Sequence, residues 1–264
     1  MSDVAPVTIE VSGGIAHLTL NRPEKRNALD SATIGALSAA LERCAGDPDV
    51  RMLQLTGAGN VFCAGADLSE MQAQAQASEA ENLAHAKKLA TMLGKLDSWP
   101  KPTLAKVNGD GYGGALGLIA ACDIVIVMES AKFAFTEVRL GIIPAVVSPF
   151  VLGKIGESAA LRYFLTAETL SAATLQKIGL AHEVASAHAL DATCKRISDD
   201  ILKGAPGALM QAKALIRDVT HQSAGERAQA SIRMAARLAQ LRVKAEAQEG
   251  FGAFFAKRKP NWRA

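Results

Sequence analysis

Gly109-Asp110-Gly111-Tyr112-Gly113-Gly114-Ala115-Leu116-Gly117-Leu118-Ile119-Ala120-Ala121-Cys122-Asp123 is a glycine-dense turn that runs into a short apolar helix. It follows an apolar strand-like run, Thr103 to Val107. Glycine in such a turn lets backbone N–H groups approach a ligand without side-chain obstruction. A helix start adds N–H donors without intrahelical partners and a partial positive charge. Together these suit an anionic oxygen. A second segment, Phe62-Cys63-Ala64-Gly65-Ala66-Asp67-Leu68, has the same character, and two such turns can give one donor each to a single oxyanion. Gly109, Gly111 and Gly114 also satisfy G-x-G-x-x-G. A dinucleotide site would want an acid about twenty residues further on. Glu129 is the nearest, and the helix before it would be unusually short, which disfavours that site. Tight packing of backbone on backbone is the plainer explanation of any single turn of this kind.

Working outward, Val7 to Val11 and Ile15 to Leu20 flank Ser12-Gly13-Gly14 as a hairpin. Asp30 or Ser31 caps a helix with the apolar stripe Ile34, Leu37, Leu41 and Cys44, stopped by Gly46 and Pro48. Met52 to Leu55 reads as a buried strand. Gln72 to Ala77 reads as a mobile surface helix. Ala77 to Leu96 reads as a helix with Leu83, Leu89, Leu93 and Leu96 as its main apolar positions. Ile124 to Met128 and Lys132 to Phe135 are further strands. Strands alternate with helices to about residue 185, the pattern of an α/β fold. Beyond Ala187 nearly everything reads helical, with breaks near Gly204 to Gly207 and Gly250 to Gly252.

The formal charge of +3 is too small to argue for nucleic acid. Cys44, Cys63, Cys122 and Cys194 have no metal-type spacing and read as reduced, buried thiols. No secretory segment opens the chain and no apolar run would span a bilayer, so the expectation is a cytoplasmic protein with no membrane partner. The five histidines form no ligand pattern; His85 lies on a helix that could border a pocket, although an exposed helical histidine is the plainer reading.

The segments together are more specific than any one. Asn21-Arg22-Pro23-Glu24-Lys25-Arg26-Asn27-Ala28-Leu29 resembles the opening motif of the enoyl-CoA hydratase/isomerase (crotonase) superfamily. Phe62 to Leu68 resembles its first oxyanion segment and Val107 to Asp123 its second. Phe133 to Pro144 resembles the segment that carries a catalytic glutamate. Gly179-Leu180-Ala181, Ala253-Phe254 and Lys257-Arg258-Lys259 resemble later landmarks, so the likeness runs in order through nearly the whole chain.

The resemblance implies an α/β, crotonase-like spiral of ββα units. It places an acyl-CoA-binding core over residues 1–195 and a C-terminal helical trimerisation region over 196–264. The implied partner is an acyl-CoA thioester, and the implied assembly a homotrimer or a dimer of trimers. The charged, Ala/Leu-rich stretch Ser223 to Lys244 suits an interface. No cofactor or metal is implied, since coenzyme A belongs to the substrate. By this likeness Ala64 and Gly114 donate N–H groups to the thioester oxygen, and Glu137 exchanges the proton beside it. Lys25, Arg26, Ala28, Ala64, Gly65, Ala66, Asp67, Leu68, Gly113 and Gly114 line the substrate path. Phe254 and Lys257 reach the nucleotide. Glu137 lies in an apolar stretch, where a carboxyl keeps a raised pKa, although a glutamate paired with Arg139 would look the same in sequence.

One position departs from the pattern. Hydratases of the family commonly use a second glutamate three residues after the oxyanion glycine, and here that position is Gly117. A hydratase would then orient water with Glu137 and another group, such as Asp110 or a carboxylate on the substrate. A double-bond isomerase needs only one base. A non-catalytic acyl-CoA-binding protein is the third reading. The run Glu137 to Val151 resembles hydratases of the methylglutaconyl-CoA type, with branched or dicarboxylyl substrates, and favours the first.

Overall fold

A computed structural model describes residues 5–220 and 245–263. Two compact units result: Met1–Trp99 with Thr103–Lys195, and Pro100–Pro102 with Arg196–Ala264.

In the first unit, strands β1 (Val7–Ser12) and β2 (Ile15–Leu20) form the expected hairpin, Val7 opposite Leu20. Helix α1 (Ser31–Gly46) follows, capped by Asp30, whose carboxylate accepts from Thr33 N–H at 2.7 Å. Its stripe Ile34, Leu37, Leu41 and Cys44 is buried as the spacing predicts. Next come β3 (Met52–Gly57), β4 (Val61–Cys63), α2 (Leu68–Gln74) and α3 (Glu79–Asp97). They lead into β5 (Thr103–Val107), β6 (Asp110–Tyr112) and α4 (Gly114–Ala121). The third round is β7 (Ile124–Met128), β8 (Lys132–Ala134) and α5 (Ser148–Thr166). Short elements β9 (Leu170–Ser171), α6 (Ala172–Lys177) and β10 (Glu183–Ala185) precede α7 (Leu190–Leu202), within which the two units divide.

Each round gives its first strand to one sheet and its second to another. The larger sheet runs β1-β2-β3-β5-β7-β10 and the smaller β4-β6-β8-β9. From β2 onward the larger sheet is parallel, as are β4-β6-β8. Strands that must be covered on both faces read as continuous apolar runs, and β7, Ile-Val-Ile-Val-Met, is one. This is the spiral of ββα units. Its consequence is that β4, β6 and β8 end side by side, so the segments after them, 64–67, 113–114 and 135–137, converge.

Three sequence expectations change. Leu83, a main apolar position of α3, is 53% exposed, because it lies in the helix's first turns while the buried residues Met92, Leu93 and Leu96 lie in its last ones. Of the Gln72 to Ala77 run, only the first three residues are helical. Gly250 and Gly252 lie inside a helix, α9 (Ala245–Phe255), instead of breaking one. A Cβ on Gly250 would stand 3.3 Å from the Trp262 ring, so that glycine serves packing within the second unit. There α8 (Pro206–Val219) has its first N–H groups capped by Glu246, which accepts from Gly207 and Ala208 at 3.0 Å each. The stretch Ser223 to Lys244 lies outside the described residues.

Candidate active site

The Asn21 to Leu29 motif is a clamp. A 3-10 turn, Pro23–Lys25, ends with Arg26 and Asn27 both at positive φ. Asn27 is buried; its side chain accepts from Arg22 N–H at 3.0 Å and donates to Ala58 O and Val61 O at 2.9 and 2.8 Å. Arg22 donates to Ala28 O at 2.9 Å and pairs with Asp30 at 2.8 Å and Asp67 at 3.1 Å. Burial pulls the Asp67 carboxyl upward, but hydrogen bonds from Ser69 N–H and Arg22 outweigh it and hold the group below the usual range. One guanidinium thus ties the loop, the start of α1 and the 64–67 segment together.

Within that segment the N–H groups divide. Ala64 N–H donates to Arg26 O at 2.9 Å. Ala66 forms a parallel bridge with Leu29, in which Leu29 N–H donates to Gly65 O at 2.7 Å and Asp67 N–H to Leu29 O at 3.2 Å. That bridge turns Ala66 N–H the other way, and among the described residues no acceptor meets it. Gly114 N–H is the first of α4 and likewise has no acceptor. The expectation of an open N–H at Ala64 is therefore corrected: that N–H is engaged, and the open one in this segment is that of Ala66. The two turns come close: a Cβ on Gly65, at φ 89°, would stand 2.6 Å from Tyr112 O and 3.7 Å from Gly114 N. No L side chain is comfortable at either feature.

Ala66, Gly114 and Glu137 all line one cavity of about 240 Å³. Glu137 opens a 3-10 turn, Glu137–Leu140, directly after β8. Its Oε2 is buried and without a hydrogen-bond partner. Burial raises its carboxyl above the ordinary glutamate range, only partly offset by a backbone hydrogen bond. Among the described residues it forms no ion pair with Arg139. Gly113, at φ 50°, brings the turn against this carboxyl; a Cβ there would lie 3.2 Å from Oε1. The rest of the wall is mostly apolar and includes Leu29, Ile34, Leu89, Ile142 and Val147.

Gly117 is buried in α4, and a Cβ built on it would meet Val147 Cγ1 at 2.6 Å and Leu93 Cδ1 at 3.0 Å. The space a second carboxylate would take is filled by hydrocarbon. Asp110, a candidate to hold water, is committed elsewhere: its two oxygens accept from Lys132 N–H at 2.9 Å and Tyr112 OH at 3.2 Å. Cys63 is buried, which pushes its thiol up to about 12 and leaves it inert. His85, expected as an exposed helical residue, lines the cavity.

A second, more polar cavity of about 390 Å³ shares Ala66 with the first. It gathers Lys25, Arg26, Ala28, Ala64, Asp67 and Leu68, together with Glu24, Ser69 and Tyr112. Lys257 is exposed in the second unit, just past α9 at φ 53°. The side chain of Phe254 lies outside what the structure describes.

Two backbone donors and a buried carboxyl on one wall, beside a cavity with basic residues, are the parts of a site that polarises a carbonyl and moves a proton next to it. The sequence profile of the enoyl-CoA hydratase/isomerase family matches residues 10–264. The chain belongs to that family. The 2,3-dehydroadipyl-CoA hydratase of Escherichia coli is 32% identical over 248 residues, 93% of this chain and 94% of that protein. The (E)-benzylidenesuccinyl-CoA hydratase of Thauera aromatica is 34% identical over 219 residues, 81% of this chain and 84% of that protein. The crystal structure of an enoyl-CoA hydratase from Shewanella pealeana superposes with a TM-score of 0.91 at 37% identity, covering 98% of this chain and 97% of that one.

Two features of this hydratase/isomerase-family chain escaped the sequence. Ala66 carries the free N–H only because Leu29, far away in sequence, bridges to it. Val147 fills the Gly117 position from the loop before α5. No local pattern signals either. His85 and Leu89 share a face of α3 by helical spacing, and that was the available clue to His85.

Proposed function

We propose that this chain is an enoyl-CoA hydratase in which Ala66 N–H and Gly114 N–H hold the thioester oxygen and Glu137 is the single acid/base. The observation that carries it is the convergence, on one cavity wall, of two N–H groups without acceptors among the described residues and a carboxyl whose Oε2 is buried and unpartnered. Glu137 as carboxylate takes a proton from water while the water oxygen bonds to the β-carbon. The double-bond electrons move toward the thioester oxygen, where the two N–H groups stabilise the enolate. Glu137 then returns the proton to the α-carbon, and water has been added across the double bond. The cavity with Lys25 and Arg26 suits the coenzyme's pantetheine and phosphates. Dehydroadipyl and benzylidenesuccinyl thioesters carry a second carboxylate, and we extend that dicarboxylyl class to this chain.

The hydrocarbon filling at Gly117 favours one further reading, a double-bond isomerase, since a single carboxyl suffices to move a proton between two carbons. The two separate in one assay of the conjugated thioester absorbance. A hydratase removes it from 2-enoyl-CoA esters such as crotonyl- or 2,3-dehydroadipyl-CoA. An isomerase creates it from a 3-enoyl-CoA and leaves the 2-enoyl esters alone. Silence with all of them would leave a binding protein.

The apolar face made by Ile143, Leu152, Leu161 and Leu165, around a cavity of about 380 Å³, supports self-association as a homotrimer or dimer of trimers, which light scattering would measure. Cys44, Cys63, Cys122 and Cys194 are buried and form no disulfide among the described residues, which supports a reducing compartment such as the cytoplasm. Among the described residues no helix is long and apolar enough to cross a membrane.

A further inference from the structure

The active-site cavity has three polar side chains on its wall: Glu137, Gln74 and His85. Glu137 belongs to the reaction. The other two lie away from it, on α2 and α3. Leu93 of α3 abuts Gly117, one helical turn from the donor Gly114. His85 is eight residues earlier on that helix, about 12 Å along its axis.

His85 is held rather than free. Its Nδ1 lies 3.4 Å from Ser31 Oγ and 3.7 Å from Glu70 Oε2. Glu70 is itself anchored, since its Oε1 accepts from Ser31 N–H at 2.7 Å. Its Oε2 is buried with no hydrogen-bond partner. Glu70 therefore sets a carboxylate oxygen beside the Nδ1 edge of the ring. With Nδ1 turned to Ser31 and Glu70, Nε2 is the ring nitrogen left for a ligand. Another carboxylate on this side, Glu81, is committed to Ser78 in the capping box of α3. Gln74 and His85 also line an adjoining cavity of about 270 Å³, so a polar group bound here need not be stripped of all its water.

We infer that His85, backed by Glu70 and Ser31 and assisted by Gln74, receives a carboxylate at the far end of the acyl chain. The inference rests on the acyl-thioester reading above and gives its dicarboxylyl class a specificity-determining residue. An apolar wall accepts any chain of fitting size. A fixed donor on that wall rewards an anionic tail and, left unpaired, penalises a plain hydrocarbon one.

Saturated thioesters test this without turnover. Binding of succinyl-, glutaryl- and adipyl-CoA would be compared with butyryl-CoA by calorimetry on the full-length protein. At least one diacid ester should bind about ten- to a hundred-fold more tightly than butyryl-CoA. His85→Leu should bring that ratio near one, and His85→Gln, which keeps a donor, should retain part of it. Absence of a diacid preference in the native protein, or its survival in both variants, would overturn the assignment. So would an equal loss of butyryl-CoA and diacid binding, which would make His85 a support for the whole site. If the native protein shows the preference yet hydrates no enoyl-CoA, the proposed reaction falls while His85 keeps its role. If it hydrates but shows no preference, only the His85 assignment falls.

Discussion

The two turns that face Glu137 look alike in sequence and are built differently. In the second, the free donor is the first residue of a helix, and any helix start leaves such N–H groups unpaired. An open N–H at Gly114 therefore follows from local reading. In the first, the helix starts too late to matter, and the free donor is whatever the bridge to Leu29 leaves over. Two residues apart, Ala64 is bonded to Arg26 O and Ala66 is open. Similar composition thus gives equal plausibility but not equal position. A donor defined by a helix terminus is local information, whereas one defined by strand pairing is long-range.

The largest effect should come from the group both turns serve. Glu137→Gln is expected to lower kcat by about 10²–10⁴-fold with little change in thioester affinity, read by steady-state rates beside calorimetry. Loss of affinity in the same proportion would put Glu137 in binding instead. The contrast between the turns is next. An ester in place of the amide at Ala66 removes only that N–H and should cost about 10²–10³ in kcat. The same replacement at Ala64 should leave kcat close to native and lower stability by roughly 1 kcal/mol in urea titration. A reversed result would restore Ala64 as the donor.

Gly117→Glu adds a side chain where Val147 and Leu93 already sit, and should destabilise by about 1–3 kcal/mol, seen as a fall in Tm. Combined with Val147→Ala, which opens the space, it should recover stability and raise the rate with crotonyl-CoA. No gain in the double variant would mean that a carboxylate there cannot serve this site. The smallest effect is the pH dependence of stability. Burial raises Glu137 in the folded chain, so between the ordinary glutamate range and the raised value the folded state holds more protons than the unfolded one. This group's contribution is therefore fully present at low pH and is lost as pH rises through that window. Glu137→Gln should flatten that decline in denaturation curves taken across it.

Much of the fold was legible because its signals are local. The hairpin follows from Ser12-Gly13-Gly14, α1 from Asp30 and its apolar stripe, and β7 from an unbroken apolar run. Glu137 could be read because an acid among apolar residues is conspicuous, and burial does raise it. Leu83 failed because apolar character does not say which turn of a helix reaches the core. Gly250 failed because a glycine that makes room for Trp262 looks like one that ends a helix. Val147 was invisible for a related reason: its partner Gly117 is thirty residues back, and only the spiral of strands brings them together.

The packing of Val147 against Gly117 has a historical side. A lineage that carries this pair cannot gain a second carboxylate at position 117 in one substitution without a loss of stability. It must first shrink Val147, a change that brings no advantage while glycine remains opposite it. Its descendants are thus free to vary the acyl end of the cavity while the chemistry stays tied to one carboxyl group.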